Sequence, residues 1–339
     1  MNYLWQTNRI EAEPVTFVGE HGTPAAASLL MPATRIERIS DAAGQIVYKP
    51  GTDYDLTPDG QVLRPAGSTM PLITPAQLYP PPESKHAYPK HVTRDCWMMH
   101  DEAGLWHRSQ PRVTYTHHRW DGPTPAGQAA NLPGTHAKLR QGGPLRVALF
   151  GDSISAGYNA SSHMDLPPHE PDWGTRVVQR LRERYKADLV YHNESVGGQA
   201  TPWAVQEIGR VTRHEPDLAI LAWGMNDASG RRDPATYRQL IEQQMDALRQ
   251  ANAEVEFVLV ATMLGNPDWL HAAPDLYPAY RDELAKLVSP GVALADVTTF
   301  WTWMCSRKKW IDMTGNGVNH PNDFGMRVYA DVVMGAICV

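Results

Sequence analysis

The sequence predicts an α/β fold: a parallel sheet covered by helices, preceded by an all-β, jelly-roll-like region. Two contrasts carry that expectation. From residue 145 onward, apolar runs of strand length alternate with stretches of helical period, the pattern of a parallel sheet wound with crossover helices. Before residue 140 the runs are short, alternate apolar with polar, and are broken by Pro and Gly, as in small antiparallel sheets. The expected division is therefore a β-sandwich over residues 1–140 and an α/β unit over residues 141–339. The stretch "LRQGGPLRV" (139–147) is the expected hinge between them.

In the first region, "TRIERIS" (34–40), "GQIVYKPGTDYDLTPDGQVLRP" (44–65) and "RVTYTHHRW" (112–120) read as strands separated by Asp-Gly or Pro-Gly turns. In the second, five runs read as strands buried on both faces: 145–150, 188–193, 217–223, 255–261 and 291–297. Helical periodicity occupies 173–186, 235–251, 277–288 and 323–337.

At 339 residues with 42% hydrophobic side chains, the chain can bury a sizeable core. Its formal net charge of −6 leaves no general electrostatic footprint for nucleic acid or an anionic membrane surface. No apolar run approaches bilayer-spanning length. The start, "MNYLWQTNRIEAEPV", lacks a basic segment followed by an apolar one. The default expectation is therefore a cytoplasmic protein, or a periplasmic or secreted one if a leader has been removed. Three widely spaced cysteines, Cys96, Cys305 and Cys338, argue against a disulfide framework.

Four segments fall at the carboxyl edge of the expected sheet, where open α/β folds collect ligands. They are Gly151-Asp152-Ser153, Asn193 to Gln199, Gly224-Met225-Asn226-Asp227 and Asn316 to Pro321. Acyl transfer through a serine needs a nucleophile, a base and donors aimed at the developing oxyanion. Ser153 supplies the hydroxyl, and His320 is the only histidine in the four segments. The backbone N–H groups of Ser153 and Gly198 and the side-chain amide of Asn226 are the oxyanion-hole candidates. Asp152 and Asp227 read as structural acceptors for nearby N–H groups.

These blocks, headed by Ser153, Gly198, Asn226 and His320, resemble those of the SGNH (GDSL-like) hydrolases, over roughly residues 145 to 339. The resemblance implies a flavodoxin-like three-layer sandwich and ester hydrolysis without metal or cofactor. Members with an N-terminal β-sandwich resemble carbohydrate acetylesterases. The expected reaction is thus removal of O-acetyl groups from a plant polysaccharide or oligosaccharide through an acetyl-Ser153 intermediate. Two alternatives are a lipolytic esterase or thioesterase on longer acyl chains, and a glycan-binding protein with a vestigial site.

The chain departs from that pattern in one place. The family usually carries an Asp three residues before the histidine, where this sequence has Gly317, or Asn316 if Asn319 is an insertion. Two substitutes are open: Asp312, reached by folding back residues 313–319, or a Ser–His dyad whose imidazole is oriented by a backbone carbonyl. Asp312 is the favoured one. Trp203 and Trp223, near the same edge, are candidate platforms for sugar rings. His86, His91, Cys96, His100, His107, His117 and His118 lack the tight ligand pairs of a zinc site, so no metal is expected. The loop "SSHMDLPPHEPD" (161–172), with His163 and His169, reads as a rim or lid. Oligomeric state is not readable from the sequence.

Overall fold

The computed structural model describes residues 3–338, apart from the side chain of Pro89. Eight short strands come first: β1 (Arg9–Pro14), β2 (Ala25–Ala27), β3 (Ala33–Ser40), β4 (Asp55–Leu56), β5 (Val62–Arg64), β6 (Ala87–Lys90), β7 (Trp97–Met99) and β8 (Arg112–His117). They form antiparallel sheets in the orders β1-β8-β3, β2-β5-β4 and β6-β7. The region is β-rich, with two one-turn helices, α1 (Pro75–Leu78) and α2 (Leu105–Arg108).

The second half contains one parallel sheet of five strands: β9 (Leu145–Gly151), β10 (Leu189–Asn193), β11 (Leu218–Ala222), β12 (Glu256–Ala261) and β13 (Val292–Asp296). Their order is β10-β9-β11-β12-β13, that of a flavodoxin-like sheet. Every residue of β11 and β12 is buried, because helices cover both faces and leave no polar side for these strands. The larger helices are α3 (Pro133–Gln141), α4 (Trp173–Tyr185), α8 (Pro234–Ala251), α9 (Leu276–Ala285), α10 (Val297–Cys305) and α11 (Asp323–Cys338). Shorter ones are α5 (Thr201–Gln206), α6 (Gly209–Thr212) and α7 (Met225–Ser229). Asp172, Asp233 and Asp296 cap α4, α8 and α10 by accepting the N–H of the residue three positions on.

The expected hinge at 139–147 is instead a tight helix-to-strand turn. Gly142 and Gly143 hold φ values of 88° and 89°, and a Cβ on Gly143 would lie 2.2 Å from the Asp188 carbonyl. Helix α3 belongs with the parallel sheet, since buried Glu256 of β12 accepts the N–H groups of Gly134 and Thr135 at 2.8 and 2.7 Å. The passage from β8 to α3 therefore runs over residues 118–132.

Candidate active site

The strand order reverses between β9 and β11, and that crevice gathers the four segments. Ser153 lies two residues beyond β9. The turn that holds it is tied by Asp152, whose carboxylate accepts the Ile154 N–H at 3.0 Å, and by the Tyr158 N–H donating to the Ser153 carbonyl at 3.0 Å. Burial pushes the Asp152 carboxyl up to about 7, against the opposing effect of the backbone N–H groups around it.

His320 stands opposite, with Nε2 2.8 Å from Ser153 Oγ. This is the geometry in which an imidazole takes a hydroxyl proton. Both residues are buried, Ser153 at 5% and His320 at 6% exposure. On the β10 side, Gly198 adopts φ +75° with nothing within 4 Å of where a Cβ would be. Asn226, in the first turn of α7, donates from Nδ2 to the Gln199 carbonyl at 2.8 Å, which leaves its second amide proton available. Among the described residues, the Ser153 and Gly198 N–H groups have no protein acceptor. Asp227 is a structural acceptor, buried and bound by Thr201 and Arg232.

Asp312 is not brought to His320. It sits in a 3-10 helix (Trp310–Met313), where its Oδ1 accepts the Thr16 N–H at 2.7 Å. Residues 313–319 do fold back, but they direct the Asp312 side chain toward β1 and the segment after it. Nor is the orienting group a backbone carbonyl. His320 Nδ1 lies 2.6 Å from the side-chain Oδ1 of Asn159. A carboxylate from the N-terminal half, Glu102 Oε2, is 3.4 Å from the same Nδ1.

Two glycines make room for these groups. A Cβ on Gly315 would lie 2.4 Å from Asn159 Cβ, and one on Gly317 would lie 2.3 Å from the Met99 carbonyl and 2.6 Å from Trp106 Nε1. Gly317 also holds φ +91°. Where the family's acid is expected, this chain thus packs its own Met99–Trp106 segment. Asn316 organises the loop from within. Its Oδ1 accepts the N–H groups of Val318, Asn319 and His320, and its Nδ2 donates to Glu102 Oε1 at 3.0 Å.

Burial alone would raise the Glu102 carboxyl. Hydrogen bonding to His100 and Asn316 and the 3.4 Å approach of the His320 ring outweigh it and hold the group well below the usual carboxylate range. No local sequence signal marks Glu102 or Asn159. One lies in an irregular loop far from the motif blocks, and the other is a polar turn residue near Ser153.

Trp223 is corrected to a core residue. It is 1% exposed and meets Phe150 edge-on at 5.0 Å, so neither ring face is open to a sugar. Trp203 packs on Phe150 and Trp223 with Arg210 over its ring, extending the same aromatic cluster. The aromatic ring beside His320 is Tyr158, 5.6 Å away edge-on, 37% exposed and stacked on His163 of the rim loop. Histidines of the 86–118 stretch take separate partners, among them His86 to Asp101, His100 to Glu102 and His107 to the Pro167 carbonyl.

Residues 149–328 match the model of the GDSL-like lipase/acylhydrolase family. The chain belongs to this family. Among solved structures, this GDSL-like hydrolase is similar to a two-domain esterase active on acetylated mannans, crystallised with mannopentaose. That pair shares 21% identity and a TM-score of 0.48, over 62% of this chain and 53% of the other. The chain thus spans about half the length of that esterase. It is also similar to an acetyl xylan esterase (19% identity, TM-score 0.44, 56% of this chain, 97% of the other). A carbohydrate esterase family 3 protein from Talaromyces cellulolyticus aligns at 16% identity and TM-score 0.44, over 56% of this chain and 94% of that one. No curated protein matches the chain.

Proposed function

We propose that this GDSL-like hydrolase is a serine esterase that removes O-acetyl groups from a polysaccharide or oligosaccharide. The observation that carries the reading is the 2.8 Å approach of Ser153 Oγ to His320 Nε2 beside free N–H donors. Ser153 attacks the acetyl carbonyl while His320 takes its proton. The N–H groups of Ser153 and Gly198 and the amide of Asn226 receive the oxyanion. The sugar hydroxyl leaves with the proton from His320, and water then hydrolyses the acetyl-serine. The Ser–His pair at the carboxyl edge of the sheet needs no metal for any of these steps.

Two features favour a short acyl group on a sugar. A cavity of about 350 Å³, lined by apolar Leu72, Ile73, Met99 and Leu105 and by polar Lys85 and His86 among others, is walled by neither Ser153 nor His320. The exposed rings near the site are tyrosines, Tyr158 beside His320 and Tyr88 edge-on to His100 at 5.5 Å, and such amphipathic rings suit pyranose faces.

The direct test is acetate release from acetylated mannans and xylans, alongside 4-nitrophenyl esters of increasing chain length. Acetate is expected to be the best acyl group; preference for long chains would replace this reading with the lipolytic one. Ser153→Ala should abolish turnover, and retained hydrolysis would remove Ser153 as nucleophile. Asn226→Ala should lower kcat by ~10²- to 10³-fold, the usual loss for one oxyanion donor.

A further inference from the structure

Nucleophilic attack by Ser153 leaves a positive imidazolium on His320, and two side chains face its Nδ1. Asn159 Oδ1 is at 2.6 Å and Glu102 Oε2 at 3.4 Å. We propose that Asn159 and Glu102 divide the work that one carboxylate performs in a Ser–His–acid triad: Asn159 fixes the tautomer and ring orientation, and Glu102, delivered by the N-terminal half, supplies the negative charge. The proposal rests on the serine esterase reading above.

Asn159 is fixed in the sense its part requires. It is 2% exposed, with Nδ2 donating to the Gly315 carbonyl at 3.3 Å. Its acceptor oxygen therefore faces the imidazole, and a neutral acceptor there demands that Nδ1 carry the hydrogen. Nε2 is left as the acceptor for the Ser153 hydroxyl proton. Asn159 also holds φ +65°, a left-handed conformation that Asn tolerates better than most residues. An amide, however, brings no charge to offset the imidazolium.

Glu102 brings that charge, and its loop is built to hold it. Asp101, the residue before it, accepts the N–H groups of Ala103 and Leu105 at 2.9 and 2.6 Å and donates its own N–H to the Asn316 carbonyl at 3.2 Å. Glu102 itself is gripped by Asn316 Nδ2 at 3.0 Å and faces His100 Nε2 at 3.2 Å. The same Asn316 accepts the His320 N–H. One residue thus fixes both ends of the ion pair. Around His320 the other titratable ring is Tyr158, with His163 behind it.

The test compares kcat and KM for 4-nitrophenyl acetate across pH in the full chain. Glu102→Gln should lower kcat by about 10- to 100-fold. That is less than the ~10⁴ lost with a triad carboxylate, because the Glu102 side chain is 45% exposed and so screened. KM should stay within about threefold, since the substitution removes charge rather than substrate contacts. The acid limb of the kcat/KM profile should move to lower pH, because the imidazolium has lost its counter-charge. A role limited to holding the loop would not produce that shift. Asn159→Ala should lower kcat by ~10² or more, as expected for a lost tautomer-setting partner; Asn159→Ser serves if the alanine variant does not fold. Parent-like rate and pH profile in Glu102→Gln, or parent-like kcat in a folded Asn159 variant, would overturn the division. Ser153→Ala separates the two readings. Activity retained there sinks the esterase assignment itself, whereas an inactive Ser153→Ala beside an unchanged Glu102→Gln sinks only the proposal made here.

Discussion

Gly317 illustrates how one backbone position can decide which chemistry a loop supports. Its φ of +91° and the Met99 carbonyl 2.3 Å from a hypothetical Cβ exclude any side chain there. Gly317→Ala should therefore cost about 2–4 kcal/mol, combining left-handed strain with overpacking. It should also lower hydrolysis by displacing the segment that carries Glu102. Urea unfolding alongside the 4-nitrophenyl acetate assay measures both, and a variant with parent stability would contradict the packing. Asp312 gives the opposite expectation. Burial raises its carboxyl to about 6, partly offset by the charge of Lys308. A carboxyl raised on folding favours the protonated native state, so its contribution is full below about pH 4 and is lost as pH rises through about 6. Asp312→Asn should keep hydrolysis within about tenfold of the parent, since it does not touch His320, and should flatten the fall in stability between about pH 4 and 7 by on the order of 3 kcal/mol. A ~10⁴-fold loss of kcat would restore Asp312 as the triad acid.

The five strands of the parallel sheet were legible because continuous burial writes continuous apolar runs, as in β11 and β12. Helices α4 and α8 were legible for a complementary reason: each keeps a polar face. Helix α10, "VTTFWTWMC", carries no such signal, because Phe300, Trp301 and Met304 are buried while Thr and Trp occupy the rest, leaving no polar stripe to mark its period. At the candidate site, Ser153, Gly198 and Asn226 each fall in a motif block that follows a strand, and His320 in the block before the last helix. Glu102 carries no motif, because its role depends on a tertiary contact across more than two hundred residues of chain. Asp312 attracted the acid assignment by being the nearest upstream carboxylate, and sequence distance says nothing of side-chain direction. A similar long-range contact joins β1 to the segment after α10. Lys308 Nζ pairs with Glu13 and donates to the Pro14 carbonyl at 2.8 Å, with both charged side chains fully buried. Glu13 is further held by the Tyr115 hydroxyl at 2.6 Å and the Leu30 N–H at 2.8 Å. Lys308→Met strands that carboxylate, so it should cost about 3–5 kcal/mol in chemical denaturation; a loss below about 1 kcal/mol would mean water reaches the pair.

The two halves share one interior. A single apolar cluster runs from Tyr3, Ile10, Val113 and Tyr115 in the N-terminal half to Trp173, Phe324 and Val333 beside the parallel sheet. Polar ties cross the same boundary. Arg112 pairs with Glu170, Arg327 donates to the carbonyls of Glu11 and Ala12 at 2.8 Å, and Gln110 donates to the carbonyls of Ile311 and Thr314. Parting the halves would expose the shared apolar cluster to water and exchange these ties for solvent, with no compensating contact. The halves should therefore unfold together, in one calorimetric transition whose midpoint coincides with loss of hydrolysis. Lys308→Met should lower that midpoint as a whole, with no early step appearing. The Glu102–His320 pairing leads to the same expectation from the side of the chemistry, because an N-terminal half that detached first would withdraw a charge from the site before the sheet melted. Two resolved transitions, with activity changing at the first, would show instead that the β-rich half docks onto an independently stable catalytic unit.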